Sequence, residues 1–194
     1  MGGIEGNHKA ADPKVVQLSH SVGRGVFSVA GSAPFWGTDP ATMRDVILDP
    51  EAAKDKLEDC APLERVWLLT LLDRNDDALR EGLALLAKSS DRFSPLLVLA
   101  QVYQRSYRWH EAARLHEEAL QLARTREREA LVRHHIGRRL FDEARYRDAA
   151  AEFEWASDLY GSAGREEQSG ISRRAMERAR KVHAAQASIW DQHP

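Results

Sequence analysis

The chain has 194 residues, 43% hydrophobic and 30% charged, with a formal net charge of -2. That balance is too apolar for a disordered chain and too charged for a membrane-embedded one, so a soluble globular protein is expected. Near-neutral charge gives no bulk electrostatic argument for a nucleic-acid or membrane partner. Cys60 is the only cysteine, which removes intrachain disulfides, Cys-based zinc sites and CxxC redox centres, and favours a reducing, cytoplasmic setting. No apolar run reaches the roughly 18 residues of a membrane span. The opening residues MGGIEGNHKA have no apolar block after an early positive charge, so no export signal is expected.

Seven of the twelve glycines precede residue 40, which marks residues 1–38 as a Gly-rich, mostly flexible N-terminal arm. Within it Val15, Val16 and Leu18, then Val26, Phe27 and Val29, flank Gly23-Arg24-Gly25 in the manner of a short hairpin. An isolated hairpin is only marginally stable. The stretch GRGVFSVAG is not a phosphate loop, because it lacks the terminal Gly-Lys-Ser/Thr that supplies a cation and a magnesium ligand. Asp39-Pro40 and Asp49-Pro50 each read as an N-cap aspartate followed by proline at the first helical position, which predicts short helices over 39–58.

From Pro62 onward the pattern is helix, short turn, helix. Leu63, Val66, Trp67, Thr70 and Leu71 form one stripe, and the DRNDD turn separates it from a helix carrying Ala78, Leu79, Leu83, Leu86 and Ala87. Three segments then align: Asp76-Asp77-Ala78-Leu79, His110-Glu111-Ala112-Ala113 and Arg147-Asp148-Ala149-Ala150. The alanines at 78, 112 and 149 lie 34 and then 37 residues apart. The second unit reads Leu96, Leu99, Ala100, Tyr103, then Trp109, Ala112, His116 and Ala119. The third reads Ile136, Gly137, Leu140, then Tyr146, Ala149, Phe153 and Ala156.

These runs resemble the tetratricopeptide repeat, or TPR. The small residues let the two helices of a pair approach closely, and the aromatic ones fill the volume beside them. The first unit is degenerate, with Val66 at the small position, Gly82 at the aromatic one and Leu85 at the last alanine. The proline that often closes a TPR is absent, and the longer second spacing is similar to that of TPR proteins with an extended inter-repeat turn. The resemblance implies an all-α fold, an α-solenoid of helix-turn-helix repeats over 59–187. A terminal helix over 166–187, with Ile171, Ala175, Ala179 and Val182 on one face, caps the stack, and residues 188–194 form a tail.

What the resemblance implies for function is a non-enzymatic adaptor, scaffold or regulatory module that binds a protein or peptide in a concave groove lined by the first helix of each pair. Carried over residue by residue, that groove takes Leu63, Trp67 and Thr70, then Leu97, Gln101, Gln104 and Arg105, then His134, Arg138 and Phe141. Trp67 and Phe141 are candidate anchors, although Trp67 also suits packing under the preceding helices. Arg105 and Arg138 are suited to an acidic side chain. The carboxylate clamp of chaperone-binding TPRs is not matched, since Leu97, Gln101 and His134 stand at its positions.

Residues 124–147 hold eight arginines against four acids, a local net charge of +4. That density leaves arginine-mediated nucleic-acid binding as an alternative, but the interleaved acids sit where they support the helix itself. Self-association through the arm or the Trp190 tail is the other alternative. His134 and His135 diverge on a helix and cannot grip one metal from one face. With no HExxH, nucleophile elbow or nucleotide loop in the sequence, no catalytic residue, metal or cofactor is expected.

Overall fold

The computed structural model describes residues 35–191, so the arm's hairpin reading at Val15 to Val29 and the end of the tail lie outside the described residues. A two-stranded antiparallel hairpin, β1 (Trp36–Thr38) and β2 (Asp45–Ile47), opens the described chain. Eight helices follow: α1 (Pro50–Glu58), α2 (Pro62–Leu71), α3 (Asn75–Lys88), α4 (Phe93–Arg105), α5 (Trp109–Leu122), α6 (Arg126–Asp142), α7 (Tyr146–Ser162) and α8 (Glu166–Asp191). The architecture is therefore all-α apart from the hairpin. No described helix is long and apolar enough to cross a membrane.

The hairpin corrects one expectation. Asp49-Pro50 starts α1 as anticipated, with the Asp49 carboxylate accepting from the amides of Glu51 and Ala52. Asp39-Pro40 instead makes the hairpin turn. The Asp39 carboxylate accepts from the Ala41 amide at 2.9 Å and the Thr42 hydroxyl at 2.6 Å, which begins like a helix cap. Met43 then adopts φ 58°, in the left-handed region, and the chain reverses so that Asp39 N donates to the Arg44 carbonyl. An Asp-Pro pair serves a turn as well as a helix start, and tertiary contacts of the following residues decide between them.

The helices form three successive pairs, α2/α3, α4/α5 and α6/α7, each turned by the same local device. The residue two past each first helix, Asp73, Tyr107 or Ala144, has φ between 57° and 60°. The arginine after it donates its amide back to the first helix: Arg74 to Leu69, Arg108 to Tyr103 and Arg145 to Leu140, each at 2.9 Å. This closes the orphan carbonyls at the helix end. The same arginine side chain pairs with the acid three residues on, Asp77, Glu111 or Asp148, each at 2.6 Å. The α2/α3 pair, degenerate in sequence, is thus equivalent to the others in geometry. Each helix packs on the next in sequence, and α2, α4 and α6 also touch one another in order.

Close approach within a pair rests on small residues. Ala78, Ala112 and Ala149 are all fully buried, as are Ala100, Ala119 and Ala156. A Cβ on Gly137 would meet the Phe153 ring at 2.7 Å, and one on Gly82 would meet Leu99 at 2.9 Å and Val66 at 3.3 Å. The expected stripe of α3 is shifted: Ala78 and Gly82 are buried while Leu83 is exposed. In α8, Ile171, Ala175 and Ala179 are buried as expected, and the helix runs on to Asp191.

Gly137→Ala is expected to destabilise the fold by about 1 to 3 kcal/mol through overpacking against Phe153. Adding Phe153→Leu should recover part of that loss, which urea denaturation midpoints of the single and double variants will measure. A second expectation concerns acid. His116 and His135 are fully buried with ring centroids 6.4 Å apart. Burial first, then nearby arginine charge, depresses His116 to about 3 and His135 well below its ordinary 6.5. Both rings stay neutral in the fold but protonate in the unfolded chain below its pKa. Stability is therefore fully present above about pH 6.5 and falls as pH drops towards 3, with His116 contributing about 2 kcal/mol of loss between pH 7 and 5 and His135 acting in the same direction. Denaturation midpoints across that range, compared with a His116→Leu variant whose slope should be shallower, check this.

Candidate functional site

The hairpin lies across the first helices, on the side chains the sequence assigns to a groove. Asp45 of β2 is completely buried. Its carboxylate accepts from the Thr38 hydroxyl at 3.2 Å and from the Gln101 amide at 3.3 Å, and it faces the Arg138 guanidinium at 3.3 Å. Arg105 donates to the Asp45 carbonyl at 3.2 Å. Residues from α4 and α6 thus converge on one acidic residue of an extended segment. Guanidinium and amide donors around a carboxylate form charge-assisted hydrogen bonds, roughly twice as strong as neutral ones.

Two further contacts seat the hairpin. The Trp36 ring meets Trp67 of α2 edge-on, with centroids 5.0 Å apart and planes at 84°. On the other side Asp142 of α6 accepts from Arg44 at 3.0 Å and from Gln104 at 2.7 Å. At the turn, Arg178 of α8 donates twice to the Ala41 carbonyl at 3.2 Å. One short hairpin therefore touches α2, α4, α6 and α8.

Of the ten residues singled out from sequence, Gln101, Arg105 and Arg138 contact Asp45, Gln104 reaches the hairpin through Asp142, Trp67 receives Trp36, Thr70 is buried with its hydroxyl donating to the Val66 carbonyl at 2.8 Å, and Leu63 is half-buried against the core. His134 bonds Ser172 of α8 at 3.0 Å and lines a cavity against the hairpin turn. Leu97 is fully buried in the core, and Phe141 is buried with its ring 4.9 Å from Tyr146. The anchors Trp67 and Phe141 are therefore not open on the surface: Trp67 is 1% exposed, with Trp36 of the hairpin against its ring. Sequence reasoning missed Asp45, Arg44 and Trp36. Their signal was the acid in an apolar stretch, Arg44-Asp45-Val46-Ile47, which suits a strand with one buried polar residue.

The arginine-rich stretch is largely neutralised. Arg128 pairs with Asp91, Arg133 with Glu129 and Glu152, Arg138 with Asp45, Arg139 with Glu143, and Arg145 with Glu143 and Asp148. His134 and His135 sit at 87° to each other, and among the described residues no group of three or more His, Cys, Asp or Glu is placed to hold a metal. Comparison of the chain with protein-family models, with curated proteins and with solved structures finds no match.

Removing one member of the buried pair leaves the other charge stranded, so Asp45→Ala is expected to cost about 3 kcal/mol. Replacing both, Asp45→Ala with Arg138→Met, should cost clearly less than the single change, because the stranded charge goes too. A double-mutant cycle by urea denaturation measures the coupling. Hydrogen exchange adds a local reading, in which amides of Trp36 to Ile47 in Asp45→Ala exchange faster while those of α4 keep their protection.

Proposed function

We propose that this chain is a non-catalytic interaction module, a short α-solenoid of TPR-like helix pairs whose concave face binds an extended acidic segment of a partner protein. Its own hairpin is the resident occupant of that face and competes with the partner. The setting that fits its single cysteine is a reducing one such as the cytoplasm.

A single observation carries this reading: Asp45, on an extended strand, is held by Gln101, Arg105 and Arg138 from two successive first helices. These are the side chains that the repeat pattern assigns to ligand recognition, and they already grip the kind of group a ligand would present. The hairpin interface has the character of an exchangeable contact. Phe35 and Trp36 sit in the hydrophobic core with Met43 and Ile47 packed against it, and the hydrogen bonds and ion pair centred on Asp45 supply the specific part of the contact. A buried ion pair adds little net stability over an apolar pair of the same volume, and it serves specificity or switching instead. A partner strand offering an aromatic residue and an aspartate at the spacing of Trp36 and Asp45 would reproduce the interactions the hairpin gives up.

The test uses the full chain and a labelled peptide of residues 35–48 as the probe. Wild type, with its face occupied, should bind the peptide at least about tenfold more weakly than a Trp36→Ala/Asp45→Ala variant whose hairpin is released, since affinity falls with the competent fraction. Adding Arg138→Ala to the variant should abolish the capture. If the released variant takes up no peptide by fluorescence anisotropy, the face is a structural seat for the hairpin and the proposal fails.

A further inference from the structure

We propose that the cavity between the hairpin turn and α8 binds a small amphiphilic carboxylate, an apolar body carrying one anionic group. The cavity has a volume of about 230 Å³ and is walled by the hairpin turn, α6 and α8. For scale, an apolar cavity of about 150 Å³ takes up benzene, so this one has room for a larger apolar body plus a head group.

Its lining divides by chemistry. Pro40 and Met43 from the turn face Ile171 and Ala175 from α8, giving an apolar interior. A site of this kind holds water poorly, because a bound water needs two to four polar partners. Arg174 and Arg178 stand one helical turn apart on α8 at the same cavity. Among the described residues Arg178 binds only the neutral Ala41 carbonyl, and Arg174 makes no hydrogen bond or ion pair. The other charged groups at the cavity are committed. Arg138 faces Asp45, and the Asp39 carboxylate is tied to the Thr42 hydroxyl and the Ala41 amide, which hold it below the usual carboxylate range with a smaller contribution from Arg178. His134 is bonded to Ser172.

Arg174, with no ion-pair partner among the described residues, and Arg178, whose charge also acts on Asp39, stand beside an apolar chamber and call for a ligand with both characters. Guanidinium recognises a carboxylate in bidentate fashion, and the apolar wall takes the body. A bare anion would leave the chamber unfilled, and a neutral apolar molecule would leave the Arg174 charge unanswered. A ligand here touches the turn and α8 together, so it also holds the hairpin down. The site requires only the docked hairpin and stands apart from the peptide-binding proposal.

Titration calorimetry of the full chain with octanoate tests the site, with octanamide as the uncharged counterpart and inorganic phosphate as the bare anion. Octanoate should bind saturably at one site and slow hydrogen exchange of the Met43 to Ile47 amides. Octanamide should bind at least tenfold more weakly, and phosphate should show no saturable binding. Arg174→Gln/Arg178→Gln should lower octanoate affinity at least tenfold. Arg174→Gln alone, at an exposed side chain that holds nothing in the fold, should lower it severalfold with an unchanged circular dichroism spectrum. The proposal is overturned by absence of saturable octanoate binding, by equal affinity for octanoate and octanamide, by saturable phosphate binding, or by variants that bind as wild type.

Discussion

Distance between the two helices of each pair is the constraint on which the molecule depends, and it is set by side-chain volumes sixteen residues apart. Gly137 faces Phe153 so closely that an added Cβ would collide, and Gly82 lies against Val66, where an added Cβ would come within 3.3 Å of it and collide with Leu99. Ala100 and His116 occupy the same register in the middle pair, both buried. Large and small exchange sides from the first pair to the third, and Leu99 of the next helix fills space beside Gly82 in the first. Cores tolerate redistribution of volume far better than its loss or excess. The first pair departs from the repeat pattern at two positions that compensate each other, and so retains the same turn, the same backbone hydrogen bonds and the same arginine-acid pair.

Stacking three such pairs brings α2, α4 and α6 side by side, and their shared face has to be covered or solvated. The chain covers it with its own hairpin. The energetic character of this contact differs from that of the pair crossings. Crossings are apolar, fitted to within a methyl group and intolerant of change. The hairpin seat joins apolar packing by Phe35, Trp36, Met43 and Ile47 to a buried carboxylate and several guanidinium bonds, whose attraction is offset by the cost of removing charges from water.

Much of the helical scaffold was legible because its signals are local and periodic. The alanines at 78, 112 and 149 mark the crossings, Asp49-Pro50 marks a helix start, and the α8 stripe of Ile171, Ala175 and Ala179 marks the last buried face. Asp39-Pro40 was misread because its first hydrogen bonds are those of a helix cap, and only contacts made across the fold by Arg44 and Asp45, to Asp142 and Arg138, send the chain backwards at Met43. The inner-face polar residues were identifiable from repeat register, and their preference for an acidic group from guanidinium chemistry. That the acid belongs to the same chain was not legible, since Asp45 lies 93 residues from Arg138 and nothing in their local patterns connects them. Leu97 and Phe141 fell on the groove by register alone, whereas packing places them in the core.

The helix that joins scaffold and seat is α6. Every residue from His134 to Phe141 is buried, so it is enclosed on all sides, yet this run contains two histidines and two arginines. A helix covered all round is ordinarily apolar all round. Here most of the polar side chains are answered by different neighbours, while His135 Nε2 and Arg139 Nε are buried without a hydrogen-bond partner. Arg139 pairs with Glu143 one turn on, His134 bonds Ser172 of α8, Arg138 meets Asp45 of the hairpin, and His135 is kept neutral by burial. Leucines in these places would pack with less desolvation cost, but they would accept any apolar surface laid against them. The polar set accepts only a neighbour that supplies a carboxylate and a hydroxyl at the right places. α6 therefore trades stability for selectivity at the position where the helix pairs, the hairpin and the last helix meet, and that trade makes the covering segment specific.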